Sequence, residues 1–507
     1  MNERTNPIII GAAQYTQSKY TSQPLDPLNL MVKTCQKAIK DTGNDQLRKN
    51  IDAVYMININ SWSYEDAPGE LSNIIGIKPR HKVYLPDGGD SPQMLVNRAT
   101  KAITSGENQA ILITGAEAAY SVRAKKELVT KIWPEPKEPK YMEGKLWHGT
   151  SDFENKYGMI FPSCSYAMFE TALCAAANRD IEEHRLSMGK LFEHFSEIAS
   201  KNPYAWLQKP LTFKEISIPT PKNRLINFPY TKHMCSNMFV DQSAALIMTN
   251  EENAEKLEID PKKWIYLMGG ADLKNIHNVT QRPHLHDSPA AREGSKIALE
   301  QAGLELKDID SFDIYSCFPS AVQIIKKEIG INENDSRDLT ITGGLPYFGG
   351  PWSNYSMHAI VTAVDLIRNN PSMKIMVVAN GGYNTKQSFG IYGNQPPMKS
   401  WMESKESEIQ QSILINSLPE PVVEANGNLK IEVYTFLHER DGTPKRGIGI
   451  GYLENGLRTC AVIEAQPEVL LELEEINLVG KEFPVYYESS LDRNLIKLNL
   501  NKDRENN

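Results

Sequence analysis

Three stretches decide the fold: DIDSFDIYSCFPSA (residues 308–321), TGGLPYFGGPWSNYSMHA (342–359) and IMVVANGG (375–382). The first and third are short apolar runs that end in a polar residue, Cys317 and Asn380. Between them a double-glycine loop opens a helix-like segment. Apolar runs without alternation fit strands buried on both faces, as in a parallel sheet covered by helices. In such sheets the loops after the strands are where sites are built. An earlier version of the plan runs from Gly88 to Gly115, where GGDSP opens a helix and AILITG (110–115) forms the next strand.

Working outward from these loops, residues 7–13 (PIIIGAA) predict a buried strand and 52–59 (DAVYMINI) a second. Between them Asp26-Pro27 supplies a helix N-cap and first residue, and Gly43 a stop. The same devices recur later. Residues 265–271 (IYLMGGA) resemble the first strand, Ser288-Pro289 opens a helix that stops at Gly303, and 308–317 answers 52–59. This order of strands and helices, met twice, predicts a duplicated α/β domain with halves at 1–255 and 256–417.

Residues from about 120 to 232 break the rhythm with WPEPKEPK (133–140), aromatic clusters and helices near 166–178 and 181–200. They predict an insertion on the substrate side. From 418 to 507 the pattern becomes strand-like at 430–437, 446–453, 457–463 and 483–487, with Asp441-Gly442 and Asn455-Gly456 as hairpin turns. A short helix is expected at 467–474 and a frayed tail at 501–507. This is a small all-β module of barrel type.

Bulk properties narrow the function classes. With Lys+Arg 55 against Asp+Glu 63, the net charge of −8 argues against nucleic-acid binding through a basic surface. No apolar run reaches the length of a membrane span, and MNERTNPIII has no secretory apolar core. The six cysteines lack disulfide or zinc spacing and fit free thiols in a reducing cytoplasm.

The loops resemble those of the thiolase superfamily, nearest to the sterol-carrier-protein-type thiolases and their type-1 thiolase-like relatives. That resemblance, over about residues 5–415, implies a five-layer αβαβα duplication with an inserted loop domain. It also implies acetyl-CoA acetyltransferase-like activity in lipid metabolism. CoA or acyl-CoA would be the ligand, with no covalently bound cofactor, and the chain a monomer or homodimer. His438–Gly456 resembles the extra domain of the type-1 relatives, which implies an OB-like shape. The family's Cys-x-Ser loop reads Gly89-Asp90-Ser91 here, so the serine remains and the nucleophile does not. The His-Asp-Cys-Phe loop reads Tyr315-Ser316-Cys317-Phe318. Gly-His-Pro reads Gly349-Gly350-Pro351, and Cys-x-Gly reads Ala379-Asn380-Gly381.

Acyl transfer needs a nucleophile, a base and donors for the developing oxyanion. The candidate chemical groups are therefore Cys317 and His358, the latter eight positions after Gly350. Gly89, Ser91, Tyr315, Gly350, Asn380 and Gly381 would line the substrate and oxyanion pocket, with N–H groups of Gly350 and Gly381 polarising a carbonyl. Lys222, Arg224, Tyr230 and Ser236 would meet CoA. Each candidate has a plainer reading: Cys317 as a buried small residue, His358 as a structural histidine inside a helix, Ser91 as a helix N-cap, and the 221–234 run as a solvated basic loop. His284 and His286 lack a third ligand, so no metal is expected. Two function classes stand: an acyltransferase working through a rearranged site, and a non-catalytic acyl-CoA binder or scaffold whose C-terminal module meets a partner.

Overall fold

A computed structural model describes residues 6–145, 149–401 and 405–498. The tail at 501–507 lies outside them. In chain order the strands are β1 (Pro7–Thr16), β2 (Ile51–Met56), β3 (His81–Tyr84), β4 (Ala110–Ala118), β5 (Leu225–Asn227), β6 (Tyr230–Thr231), β7 (Asp241–Asn250) and β8 (Ile265–Lys274). They continue with β9 (Ser311–Ile314), β10 (Ile375–Gly381), β11 (Lys386–Gly393), β12 (Gly427–His438), β13 (Pro444–Leu453), β14 (Arg458–Ile463), β15 (Glu482–Glu488) and β16 (Arg493–Ile496).

Nine strands form one sheet in the order β3-β2-β4-β7-β1-β8-β11-β10-β9. The two halves of the duplication meet edge to edge in its middle, where β1 and β8 pair only at Ile8–Tyr266 and Ile9–Ile265. In each half the outer pairs are parallel and the last strand returns antiparallel. Among the described residues the second half has no strand matching β3. In its place residues 338 and 339 accept ladder bonds from Phe312 and Ile314 at 2.9 Å.

The helices follow from the same local signals twice. The Pro27–Thr42 helix is capped by Asp26, which accepts from the Asn29 N–H, and it stops at left-handed Gly43. The Pro289–Ala302 helix is capped by Ser288 and stops at left-handed Gly303. They pack on the outer faces of the two halves, against β1, β7 and β4 and against β8 and β11. The Ser91–Thr104 and Tyr355–Asn369 helices touch each other and strands of both halves. They form a middle layer between the folded halves of the sheet, around a core that includes Leu95, Ile113, Leu246, Ile360 and Val377. The middle layer brings the loops at 88–91 and 350–355 next to those after β9 and β10.

Beyond the sheet, β12, β13, β14, β16 and β15 close into a ring through the β12–β13 and β12–β15 pairings, with β14 and β16 parallel. The insertion is stitched to this ring. Hairpin β5–β6 extends it through Asn227–Leu437, and Phe228 packs inside it about 6 Å from the rings of Tyr434 and Phe436. Four strands were not expected from the sequence, β5, β6, β11 and β16.

Candidate functional site

At the loop before the Ser91–Thr104 helix the backbone leaves no room for a side chain on residue 89. A Cβ there would lie 2.5 Å from the Tyr315 hydroxyl oxygen and closer still to the Asn380 carbonyl oxygen. Tyr315 is itself buried and set edge-on to the Tyr355 ring at 5.5 Å. The space next to residue 350 is taken in the same way by the Ser236 hydroxyl, and that next to residue 381 by the Asp90 carboxylate. The expected pocket residues are thus brought together, but they are packed on one another.

The Gly350 N–H donates to the Asn237 carbonyl at 2.9 Å, which removes it from the role of oxyanion donor. Gly381 ends the ladder opposite Lys386. Asn380 is held on both ends of its amide, giving a bond to the Tyr166 hydroxyl at 3.0 Å and accepting one from Gln387 at 3.0 Å. Ser91 is not an N-cap. It is the first residue of its helix, and Asp90 holds the cap position in helical geometry without a side-chain capping bond. The Asp90 carboxylate turns toward Gly381 and Lys386, whose Nζ lies 3.9 Å away.

Cys317 lies beside these groups. Its carbonyl accepts from the Ser236 N–H at 3.0 Å, and its side chain lies beside the Tyr166 hydroxyl. Burial pushes the thiol up to about 12, against a smaller opposing pull from that hydroxyl. Tyr166 in turn accepts from the Asn384 N–H at 2.9 Å and stacks on Phe318 at 4.9 Å. No sequence pattern singles out Tyr166, because it comes from the insertion, some 150 residues upstream of Cys317.

Superposition places this arrangement in a lineage. The chain matches a monomeric SCP2-thiolase-like protein type 1 from Mycobacterium smegmatis at a TM-score of 0.85 and 31% identity, over 98% of this chain and 100% of that one. The chain belongs to the SCP2-thiolase-like proteins of the thiolase superfamily. An acetyl-CoA acetyltransferase of Methanocaldococcus jannaschii is 24% identical over 305 residues, 60% of this chain and 70% of that enzyme. A human mitochondrial 3-ketoacyl-CoA thiolase, solved with CoA, shares the fold at a TM-score of 0.52 and 17% identity, over 77% of this chain and 98% of that one. No family profile matches the chain.

Within this SCP2-thiolase-like protein two sequence candidates occupy structural positions instead. His358 is fully buried. Its Nδ1 is 2.9 Å from Gln14 Oε1, its ring packs 5.2 Å from Phe348, and burial lowers its pKa to about 3. No described hydrogen bond joins it to Cys317. The middle-layer helix turns it toward β1, where an imidazole held neutral packs better than a charged one. Tyr230 is also fully buried. Its hydroxyl bonds to Glu170 at 2.7 Å, Ser320 at 2.7 Å and the Tyr166 carbonyl at 2.9 Å, so it cannot reach a ligand phosphate. Hairpin β5–β6 carries it inward.

Of the remaining candidates, Lys222 is exposed, and Arg224 donates to the carbonyls of Leu225 at 2.8 Å and Glu439 at 3.4 Å. Among the described residues no group of three metal-ligating side chains occurs, and no helix is long and apolar enough to cross a membrane.

Proposed function

We propose that this protein recognises a CoA thioester in a thiolase-type site that no longer forms an acyl-enzyme at the family's nucleophile position. One observation carries the reading: the space a nucleophilic side chain on residue 89 would need is filled by Tyr315 and the Asn380 carbonyl. Loss of the cysteine is accompanied by closure of its place, which argues against an idle vacancy awaiting another nucleophile. Lys222, exposed, and Ser236, half-buried beside Gly350 and Cys317, remain the candidate CoA contacts. Six unpaired thiols fit a reducing, cytoplasmic setting. The ring order of the C-terminal strands, with its parallel β14–β16 closure, supports an OB-like domain.

A second reading rests on a different observation, the Tyr166 hydroxyl at the Cys317 sulfur. A hydroxyl there would steady a thiolate once formed, and Cys317 would then carry the acyl group in a rearranged acyltransferase. The protonated, buried thiol weighs against it, since the thiolate is the nucleophile. Mass spectrometry of the protein with acetyl-CoA, under native and then denaturing conditions, separates the two. A complex seen only in the native spectrum supports recognition without chemistry. An adduct that survives denaturation and maps to Cys317 supports the rearranged enzyme. Absence of any complex at saturating acetyl-CoA rejects both.

A further inference from the structure

The loop that follows β10 has a rare backbone. Gly382, Tyr383 and Asn384 stand at φ 61°, 60° and 61°, three consecutive residues in the left-handed region. Only the first is glycine, and a left-handed conformation is unfavourable for residues bearing a Cβ. Such a turn persists only where its surroundings over-determine it. Arg282 donates to the Tyr383 carbonyl at 2.8 Å and to Thr385 Oγ1 at 2.7 Å. Asn275 and Gln387 donate to the Asn384 carbonyl at 2.7 and 3.3 Å. The Asn384 N–H reaches the Tyr166 hydroxyl, which lies beside Cys317.

Arg282 is itself held from the C-terminal ring. Arg458 of β14 is 3% exposed and projects out of the ring into the second half of the sheet domain. One of its terminal nitrogens donates to the carbonyls of Thr280 at 2.8 Å and Arg282 at 2.6 Å. The other is fixed within the ring by Glu432 at 2.9 Å and Tyr452 at 2.7 Å. A buried guanidinium that reaches two backbone carbonyls sets their position in a way a lysine ammonium cannot copy.

We infer that the C-terminal ring is a structural part of the site, with Arg458 and Arg282 as positioning residues that hold loop 381–385 in its left-handed turn. Arg458 orders the 280–282 backbone, Arg282 pins the turn, and the turn presents the Asn384 N–H to Tyr166 beside Cys317. The ring therefore does more than meet a partner. This inference rests on geometry alone and stands whether or not a CoA thioester is bound.

Hydrogen exchange on the full chain, resolved at residues 382–387 and across β12–β14, tests it. Arg282→Lys sets the size of the local signal, an exchange rate at 382–387 raised about tenfold or more. Arg458→Lys keeps the charge next to Glu432 and loses the two-carbonyl grip. The expected result is a rise at 382–387 of the same order, with the amides of β12–β14 changed less than about twofold. Glu432→Gln, which frees the guanidinium from its ring-side partner, gives a smaller rise in the same loop and keeps the test open if Arg458→Lys does not fold. The inference is overturned if both ring variants leave 382–387 as protected as in the unaltered protein. It is equally overturned if exchange quickens only within the ring.

Discussion

The loop that opens the Ser91–Thr104 helix in the first half and the loop after β9 in the second lie in one cluster, and under the proposed reading they are closed in different ways. In the first a glycine leaves no side chain, and Tyr315 and Asn380 fill the space against Gly89. The second keeps a thiol, but burial holds it protonated and a tyrosine from the insertion occupies its sulfur. One change is steric and the other electrostatic. The steric one needs more than a single substitution to reverse, whereas the electrostatic one needs only a path for solvent or a base.

The largest effect expected follows from the steric side. Gly89→Cys restores the family's residue type, yet it drives a side chain into a buried hydroxyl and a backbone oxygen. Stability should fall by about 3 kcal/mol, read from the urea midpoint, and no acyl adduct should form at position 89 with acetyl-CoA. Adding Tyr315→Ala to the same chain should recover part of the loss, because the two positions are in contact. A singly substituted protein that is stable and acylated at 89 would break the comparison.

Next is the residue that links the loops after β9 and β10. Tyr166→Phe leaves Asn380 Nδ2 and the Asn384 N–H without their acceptor in a buried setting, at a cost of about 2 kcal/mol. The urea midpoint should drop accordingly. An unchanged midpoint would mean that the hydroxyl is replaceable and that the two loops are held by packing alone.

Much of the scaffold around these loops was legible. The Asp26-Pro27 and Ser288-Pro289 openings, the left-handed Gly43 and Gly303 stops, and the apolar runs of β1, β4, β8 and β10 are local signals, and each acts where the sequence places it. β11 was not legible. Its KQSFGIYG has neither alternation nor a long apolar run, because Gly390 gives way to Gln93 and Gly393 to Met268 where helix and strand approach closely. β16 is only four residues long and is defined by partners far away in sequence. The site was half legible. A departure from a family motif can be read from the sequence, but what fills the space there depends on approaches between segments more than 100 residues apart. Tyr166 entered for the same reason, from an insertion that carries no family loop.

The middle layer offers a pH-dependent test. His358 is pushed down to about 3 by burial, from an ordinary value near 6.5. Above pH 6.5 both folded and unfolded forms are neutral there, so it contributes no slope. Between pH 6.5 and about 3 the unfolded chain takes up a proton that the folded chain refuses, and stability falls with acidification by up to about 1.4 kcal/mol per pH unit. Urea midpoints at pH 7 and pH 5.5 should show a steeper loss for the unaltered protein than for His358→Gln. Equal losses would mean that the ring gains access to water or to a proton acceptor on acidification, and would reopen it as a site residue.

The smallest effect expected is the one that bears most directly on chemistry. Cys317→Ala removes a buried sulfur, a loss of about 1 kcal/mol of packing, and should leave the native-state complex with acetyl-CoA intact. A thiol kept protonated by burial has little thiolate at neutral pH, so the unaltered protein and the variant should both lack an adduct after denaturation. The informative contrast is therefore between two spectra and not between two rates. If the unaltered protein carries an acyl group at Cys317 and the variant carries none, ligand binding must open the second loop to a base. The two halves of the site would then differ in kind, one closed by packing and the other merely resting.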